Sequence, residues 1–268
     1  MIIDGHHHLR KEENYLEKLV EECQRLGISR VCLMALPDYY DRSTNNMILN
    51  ALRKYPDLIV GFAHFELGKA EPQKVDEYRS QGFVGLKMIN PPKNYDDKQF
   101  YPVYQRAEEL GMPILFHLGI VARDDRFRDY DINCNRMRPI YLDTIARAFP
   151  NLQIIGAHLG NPWYEEAAMA CRWNPNLYFD LTGSTLKKKS PTDIQKLLWW
   201  TKTSCYRDPW GRDAWEKIIF GSDVPYDEIE DAMNDYKRTM AALGVREEIQ
   251  KKVFGDTMQR ILMDSSQR

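Results

Sequence analysis

No Cys-x-x-Cys pair occurs among the five cysteines, Cys23, Cys32, Cys134, Cys171 and Cys205. An odd count without that spacing argues against a disulfide framework and for a reduced, cytoplasmic setting. No apolar run approaches the length of a membrane span, and the first residues carry no secretory core, so no membrane partner is expected. Charge of one sign is not in excess: 37 Lys+Arg stand against 39 Asp+Glu, a formal net charge of -2, which gives no footing for nucleic acid or an anionic membrane. No glycine-rich phosphate turn follows the first apolar run, which removes the main support for a dinucleotide-binding open sheet. Low-complexity linkers and short repeats are also missing. The 268 residues therefore read as one domain, 1–268, and the 43% hydrophobic content is enough for a large core.

What is present is a regular alternation. Short apolar runs, "MIIDGHH", "SRVCLMAL", "LIVGFAHF", "FVGLKMI", "PILFHLG", "LQIIGAH", "LYFDLTG" and "KIIFGSD", are separated by amphipathic stretches. The runs are rich in β-branched or aromatic residues and bounded by turn residues, as buried strands are. Between them, "EENYLEKLVEECQRLG" places apolar residues at helical spacing and ends on glycine, and "YPVYQRAEELG" and "RPIYLDTIARAFP" follow the same design. Eight strands, each followed by a helix, predict an α/β protein of the (β/α)8 TIM-barrel class. The stretch "RDDRFRDYDINCNRMR" after the fifth strand, with five arginines and four aspartates, reads as a long loop, either a solvated surface or a lid.

In such a barrel the strand C-termini gather at one face, where catalytic groups sit. His6 and His8 are two apart on a strand and share a face; His7 points to the other side. Lys87 ends the fourth strand, His117 the fifth, His158 follows the sixth and Asp223 the eighth. Neutral imidazole and carboxylate together suit a divalent metal, above all zinc, with a coordination position left open. Taken singly, each has a plain structural reading: a hydrogen-bonded core histidine, a paired lysine, an aspartate in a turn. His64, at the end of the third strand, keeps that reading. The joint pattern carries the expectation.

The motifs "IDGHHH", "GLKM", "PILFHLG", "AFPNLQIIGAHLG" and "IIFGSDVPY", in this order, resemble the amidohydrolase superfamily, and within it the amidohydrolase-2 branch related to aminocarboxymuconate semialdehyde decarboxylase. The likeness spans nearly the whole chain. It departs at the closing helix, where this sequence reads "DTMQR" and the family usually carries asparagine. The resemblance implies a distorted (β/α)8 barrel in which His6, His8, His117 and Asp223 hold a divalent ion. His158 acts in catalysis beside it. Lys87 matches the position that binuclear relatives carboxylate to bridge two metals; the expectation is one Zn²⁺ per chain with Lys87 uncarboxylated, and two ions as the alternative.

On this basis the expected activity is metal-dependent hydrolysis of a small carboxylated amide, ester or lactone, with Asp223 handling the proton of water and His158 or the metal polarising the carbonyl. The alternatives are non-oxidative decarboxylation of a small carboxylic acid and a non-catalytic metal-binding barrel. In the loops, Arg123 is a candidate carboxylate clamp, and Trp163 and Tyr226 are candidate apolar walls for substrate. The aromatic segment 197–217 is expected to pack a helix or to form a subunit contact, in keeping with a homodimer.

Overall fold

The structure is a computed structural model that describes residues 1–200 and 210–264. Eight strands follow one another around a single parallel sheet in sequence order. They are β1 (Ile2–His7), β2 (Ile28–Met34), β3 (Ile59–His64), β4 (Gly85–Met88), β5 (Ile114–Phe116), β6 (Ile154–Gly156), β7 (Leu177–Asp180) and β8 (Ile218–Ile219). Helices α1 (Tyr15–Leu26), α2 (Asn45–Lys54), α3 (Lys74–Ser80), α4 (Tyr101–Glu109), α5 (Ile140–Ala148) and α6 (Tyr164–Trp173) fill the connections up to β7. Then come α7 (Thr185–Lys188) and α8 (Pro191–Leu197) before β8, and α9 (Ile229–Ala242), α10 (Glu247–Lys251) and α11 (Thr257–Asp264) after it. This is the single-domain TIM barrel that the alternation predicts. All eight apolar runs are strands, and α1 closes on Gly27 in the left-handed conformation (φ 68°), where a side chain would be strained.

The barrel is nearly closed. Between β8 and β1 the link is made by Gly5 N–H donating to Phe220 O (2.9 Å) and Asp223 N–H donating to His6 O (2.9 Å). Gly5 permits this approach: a Cβ there would stand 2.9 Å from Ile219 Cδ1 and 3.0 Å from Phe220 O. Two apolar clusters result. One fills the interior with Ile3, Cys32, Met34, Val60, Phe62, Leu115, Ile155, Tyr178 and Ile219, together with Met258, Ile261 and Leu262 of α11. The larger one lies between strands and helices.

Toward the strand C-termini the interior turns polar. His64 ends β3 two residues beyond Phe62, Lys87 lies on β4, His117 two residues beyond Leu115, and Asp180 two beyond Tyr178. The period-2 alternation of strands carries the same interior row from apolar to polar side chains. β1 departs from this rule. Its pairing with β2 shifts between Ile2 and Ile3 and again between Asp4 and His7. Regular alternation would send Ile3 and His6 to opposite faces; the irregularity lets Ile3 pack inside and still turns His6 to the site.

The charged stretch 123–138 forms short 3₁₀ turns at Asp125–Phe127 and Cys134–Met137, and its first part walls a cavity above the barrel. Of the aromatic segment 197–217, residues 201–209 lie outside the described residues, and with them Cys205. Trp200 and Trp215 are buried and Trp210 is exposed.

Candidate active site

A cavity of about 320 Å³ opens at the C-terminal face, lined by His8, Lys87, His117, His158 and Asp223 among others. Of the residues singled out in the sequence, six converge there. His6 Nε2 and His8 Nε2 are 3.2 Å apart. His8 Nε2 lies 3.7 Å from Asp223 Oδ1, and Lys87 Nζ 3.4 Å from His6 Nε2. His158 Nδ1 is 3.8 Å from Asp223 Oδ2, and its Nε2 is 3.3 Å from His117 Nδ1.

The partners of these rings determine where their protons sit. His8 Nδ1 is 2.7 Å from Met34 O, a carbonyl that can only accept, so Nδ1 carries the hydrogen. His6 Nδ1 donates to Asp180 Oδ2 at 2.9 Å. In the neutral rings both Nε2 atoms are then lone pairs, and they face each other at 3.2 Å. Two acceptors so placed repel, and a cation between them relieves the repulsion. Asp223 adds a carboxylate: donor atoms of His6, His8 and Asp223 all lie within 4.8 Å of one another. Close by, His117 Nε2 is buried with no hydrogen-bond partner among the described residues. This donor set fits a divalent metal ion, with imidazole nitrogen and carboxylate oxygen as ligands.

A second cluster of His6, His158 and Asp180 meets the same distance criterion. Its carboxylate is already saturated. Asp180 Oδ1 accepts from His158 N–H (2.8 Å), Thr182 N–H (3.0 Å) and the Thr182 hydroxyl (2.5 Å), and Oδ2 accepts from His6. It is therefore a hydrogen-bond hub that orients His6, as the outer partners of metal-binding histidines do. Asp180 ends β7 in "LYFDLTG" and obeys the same strand-end rule as Lys87, so the sequence carries a signal for it.

Burial dominates the electrostatics. It pushes His158 down to about 4, against the opposing pull of Asp223 and Asp180. It holds His8 and His117 well below the usual imidazole range, with His6 and His158 respectively as the next contributors. Lys87 falls to about 8 by burial, opposed by Asp223 and Asp180. Burial works to raise Asp180, but His6 and the hydrogen bonds outweigh it and hold the carboxyl below the usual range. At neutral pH His8, His117 and His158 are thus uncharged, as metal binding requires. His158 and Asp223 also share a left-handed backbone (φ 62° and 49°), a conformation that non-glycine residues adopt rarely and mostly where structure imposes it.

His7 faces away from the cavity, as its place between His6 and His8 predicts. It joins a buried chain: the Ser222 hydroxyl donates to Asp4 Oδ2 (2.5 Å), His7 Nδ1 meets Ser222 Oγ at 2.8 Å, and Tyr15 OH meets His7 Nε2 at 3.1 Å. This chain ties β1 to the turn that carries Asp223.

Of the three loop residues, Arg123 lines the cavity and the two aromatic ones do not. Arg123 is 93% exposed at the cavity rim, 3.8 Å from Asp125. The Arg138 guanidinium lies over the Trp163 ring, 5.3 Å from its centroid, and Tyr226 packs edge-on against Tyr15 at 5.3 Å; neither aromatic residue lines the cavity. Arg123, Arg126 and Arg42 all line it; Arg42 is the half-buried one, in the loop after β2, its pKa lowered by burial and by Arg10. Nothing in "DYYDRST" marks it in the sequence, because a loop residue carries no periodicity.

Two expected outcomes follow from this packing. Burial lowers His7 and His64 to about 3, whereas in the unfolded chain each titrates near 6.5. Between these values the unfolded chain binds two protons that the fold refuses, so stability falls on acidification by about 1.4 kcal/mol per pH unit per histidine. Asp4 opposes this: burial raises it to about 6, so the fold gains its proton first and one histidine is offset between about pH 6 and 4. The melting temperature should fall from pH 7 to pH 5; a constant or rising value would contradict the burial of these rings. Gly183 gives the second. Its φ is +59°, and an added Cβ would stand 2.6 Å from His158 Nδ1 and 2.7 Å from Cγ. Gly183→Ala should cost about 1–3 kcal/mol of stability from the backbone alone, and a thermal melt equal to the parent's would show that the ring is not pressed against this glycine.

A parallel (β/α)8 barrel with a histidine–carboxylate cluster at its C-terminal face defines the class. The chain belongs to the amidohydrolase family, whose model, in the amidohydrolase-2 branch, matches residues 3–262. No curated protein matches it. Several solved structures share the fold at low identity. One is described as a probable 2-pyrone-4,6-dicarboxylic acid hydrolase from Acinetobacter baumannii with citric acid bound; it is 16% identical, covers 97% of this chain and 98% of its own, and has a TM-score of 0.66. Another is 5-carboxyvanillate decarboxylase from Sphingomonas paucimobilis, 14% identical, 98% of both chains, TM-score 0.64. A third is 5-carboxyvanillate decarboxylase from Novosphingobium aromaticivorans with manganese and 4-hydroxy-3-methoxy-5-nitrobenzoic acid, 16% identical, covering 91% of this chain and 79% of that one, TM-score 0.57. No described helix is long and apolar enough to cross a membrane.

Proposed function

We propose that the protein is a metal-dependent hydrolase of a small, anionic amide, ester or lactone. The observation that carries this is the pair of imidazole lone pairs, His6 Nε2 and His8 Nε2, facing each other at 3.2 Å beside the Asp223 carboxylate. These three groups, with His117 Nε2, would hold one divalent ion, zinc by ligand chemistry; the manganese of the Novosphingobium structure makes that metal the rival. Such an ion supplies Lewis-acid charge that makes water reactive near neutral pH.

The chain's own residues do the rest. Asp223 sits between His8 and His158 and takes the proton of the attacking water as the new carbon–oxygen bond forms. It returns that proton to the nitrogen or oxygen that leaves. His158, neutral, accepts a proton or a hydrogen bond at the same centre. Lys87, buried and still a cation at pH 7, holds an anionic oxygen of the substrate, and Arg42 receives a second one from the cavity side. Arg42 and Arg123, which both line the cavity, share the clamping role expected of Arg123.

Decarboxylation would use the same donors, and the Sphingomonas decarboxylase makes it the second reading. Labelled water separates the two. The purified protein, loaded with zinc or manganese, is screened on small carboxylated lactones, amides and aromatic acids. Hydrolysis places solvent oxygen in the product. Release of carbon dioxide with a solvent hydrogen on carbon and no solvent oxygen would overturn hydrolysis in favour of decarboxylation.

A further inference from the structure

Thr182 lies just past β7, buried, between Asp180 and His158. Its hydroxyl is 2.5 Å from Asp180 Oδ1 and 2.6 Å from His158 Nδ1. A hydroxyl has one hydrogen, so it can donate to only one of them. Asp180 accepts from four donors and, ionised, offers only lone pairs. Were the threonine hydrogen directed at His158, Oγ1 and Asp180 Oδ1 would face each other as bare lone pairs at 2.5 Å, in a place without water to screen them. The hydrogen therefore belongs to Asp180. Thr182 Oγ1 then accepts, and His158 Nδ1 must supply the hydrogen of the 2.6 Å contact.

The direction passes on along the chain. With the single proton of the neutral ring on Nδ1, His158 Nε2 is a lone pair. His117 Nδ1, 3.3 Å away, is the donor that can meet it. That leaves His117 Nε2 without a hydrogen, and this is the buried nitrogen with no partner among the described residues. One carboxylate thus sets the tautomer of His6 directly, and those of His158 and His117 through a threonine.

We propose that Thr182 is a positioning residue that fixes His158 as its Nδ1–H tautomer, so that Nε2 is the ring's one acceptor: it takes the hydrogen of His117 Nδ1, which leaves His117 Nε2 a lone pair for the proposed metal, and it accepts a proton from the cavity only when that contact opens. A neutral His158 so fixed cannot polarise a substrate carbonyl by donating from Nε2. The role rests on His158 working in the site read above, but its tautomer can be observed without any substrate, so a failed reaction assignment and a failed tautomer assignment look different.

The test uses the full-length, zinc-loaded protein labelled with ¹⁵N at histidine. Two-bond nitrogen–hydrogen correlations report which ring nitrogen is protonated, and the signals that vanish in His158→Asn belong to His158. The expected result is an Nδ1-protonated ring in the parent and in Thr182→Ser, which keeps the hydroxyl. In Thr182→Val, which keeps the shape without it, the Nδ1–H pattern should be lost; Thr182→Ala removes the same hydroxyl should valine not be tolerated. An Nε2-protonated ring in the parent overturns the proposal by itself. So does an Nδ1–H pattern that survives loss of the hydroxyl.

Discussion

Replacing His6 with alanine should strip the protein of its divalent ion. His6 offers one of the two facing Nε2 lone pairs and is oriented for it by Asp180 at 2.9 Å. Removing only an outer-shell partner of a metal ligand typically weakens the metal by ~10–100-fold. Removing the ligand itself should exceed about 100-fold on the same scale. After gel filtration in metal-free buffer, elemental analysis should find far less than one ion per chain. His6→Ala also takes one donor from the buried Asp180, which lowers stability on its own account. His8→Ala leaves Asp180 untouched and should lose the metal equally, which separates loss of a ligand from damage to the fold. Parent-like metal content in both variants would remove these histidines from the ligand set.

His158→Asn should behave in the opposite way. The ring touches the cavity, Thr182 and His117, but the proposed single ion lies with His6, His8, His117 and Asp223, and His158 reaches it only through its contact with His117. Metal content should stay near one ion per chain while turnover falls by ~10²–10⁴-fold, the usual worth of a positioned acid–base group. A loss of metal as complete as in His6→Ala, beyond the ~10–100-fold weakening that removing a ligand's outer partner brings, would make His158 a ligand and favour two ions, with Lys87 as the bridge. Asp223→Asn should fail on both counts, because Asp223 is placed both to bind the ion and to carry the proton.

The contrast between these variants reflects what the sequence could and could not reveal. Barrel strands are short, apolar and bounded by turns, so eight of them were legible from composition alone, and with them the strand ends that carry Lys87, His117, His158 and Asp223. The H-x-H spacing separated His6 and His8 from His7 by alternation. What was not legible depends on contacts distant in sequence. Thr182 matters only because it stands between Asp180 and a ring 24 positions away. Arg42 enters the cavity from a loop with no periodic signal, whereas Arg123, in the charged run, lines the same cavity at its exposed rim. Trp163 and Tyr226 stand next to the motifs in sequence, but the backbone turns them onto Arg138 and Tyr15. The irregular register of β1 is hidden too, since a register shift leaves no trace in an apolar pattern.

The most direct test is anomalous diffraction from crystals of the protein grown or soaked with manganese or zinc. One peak should lie within bonding distance, about 2.0–2.2 Å, of His6 Nε2, His8 Nε2 and the Asp223 carboxylate, with His117 Nε2 turned to it. A metal-replete crystal whose ion lies elsewhere, or in which these four side chains point apart, would contradict the metal centre and the hydrolytic reading built on it.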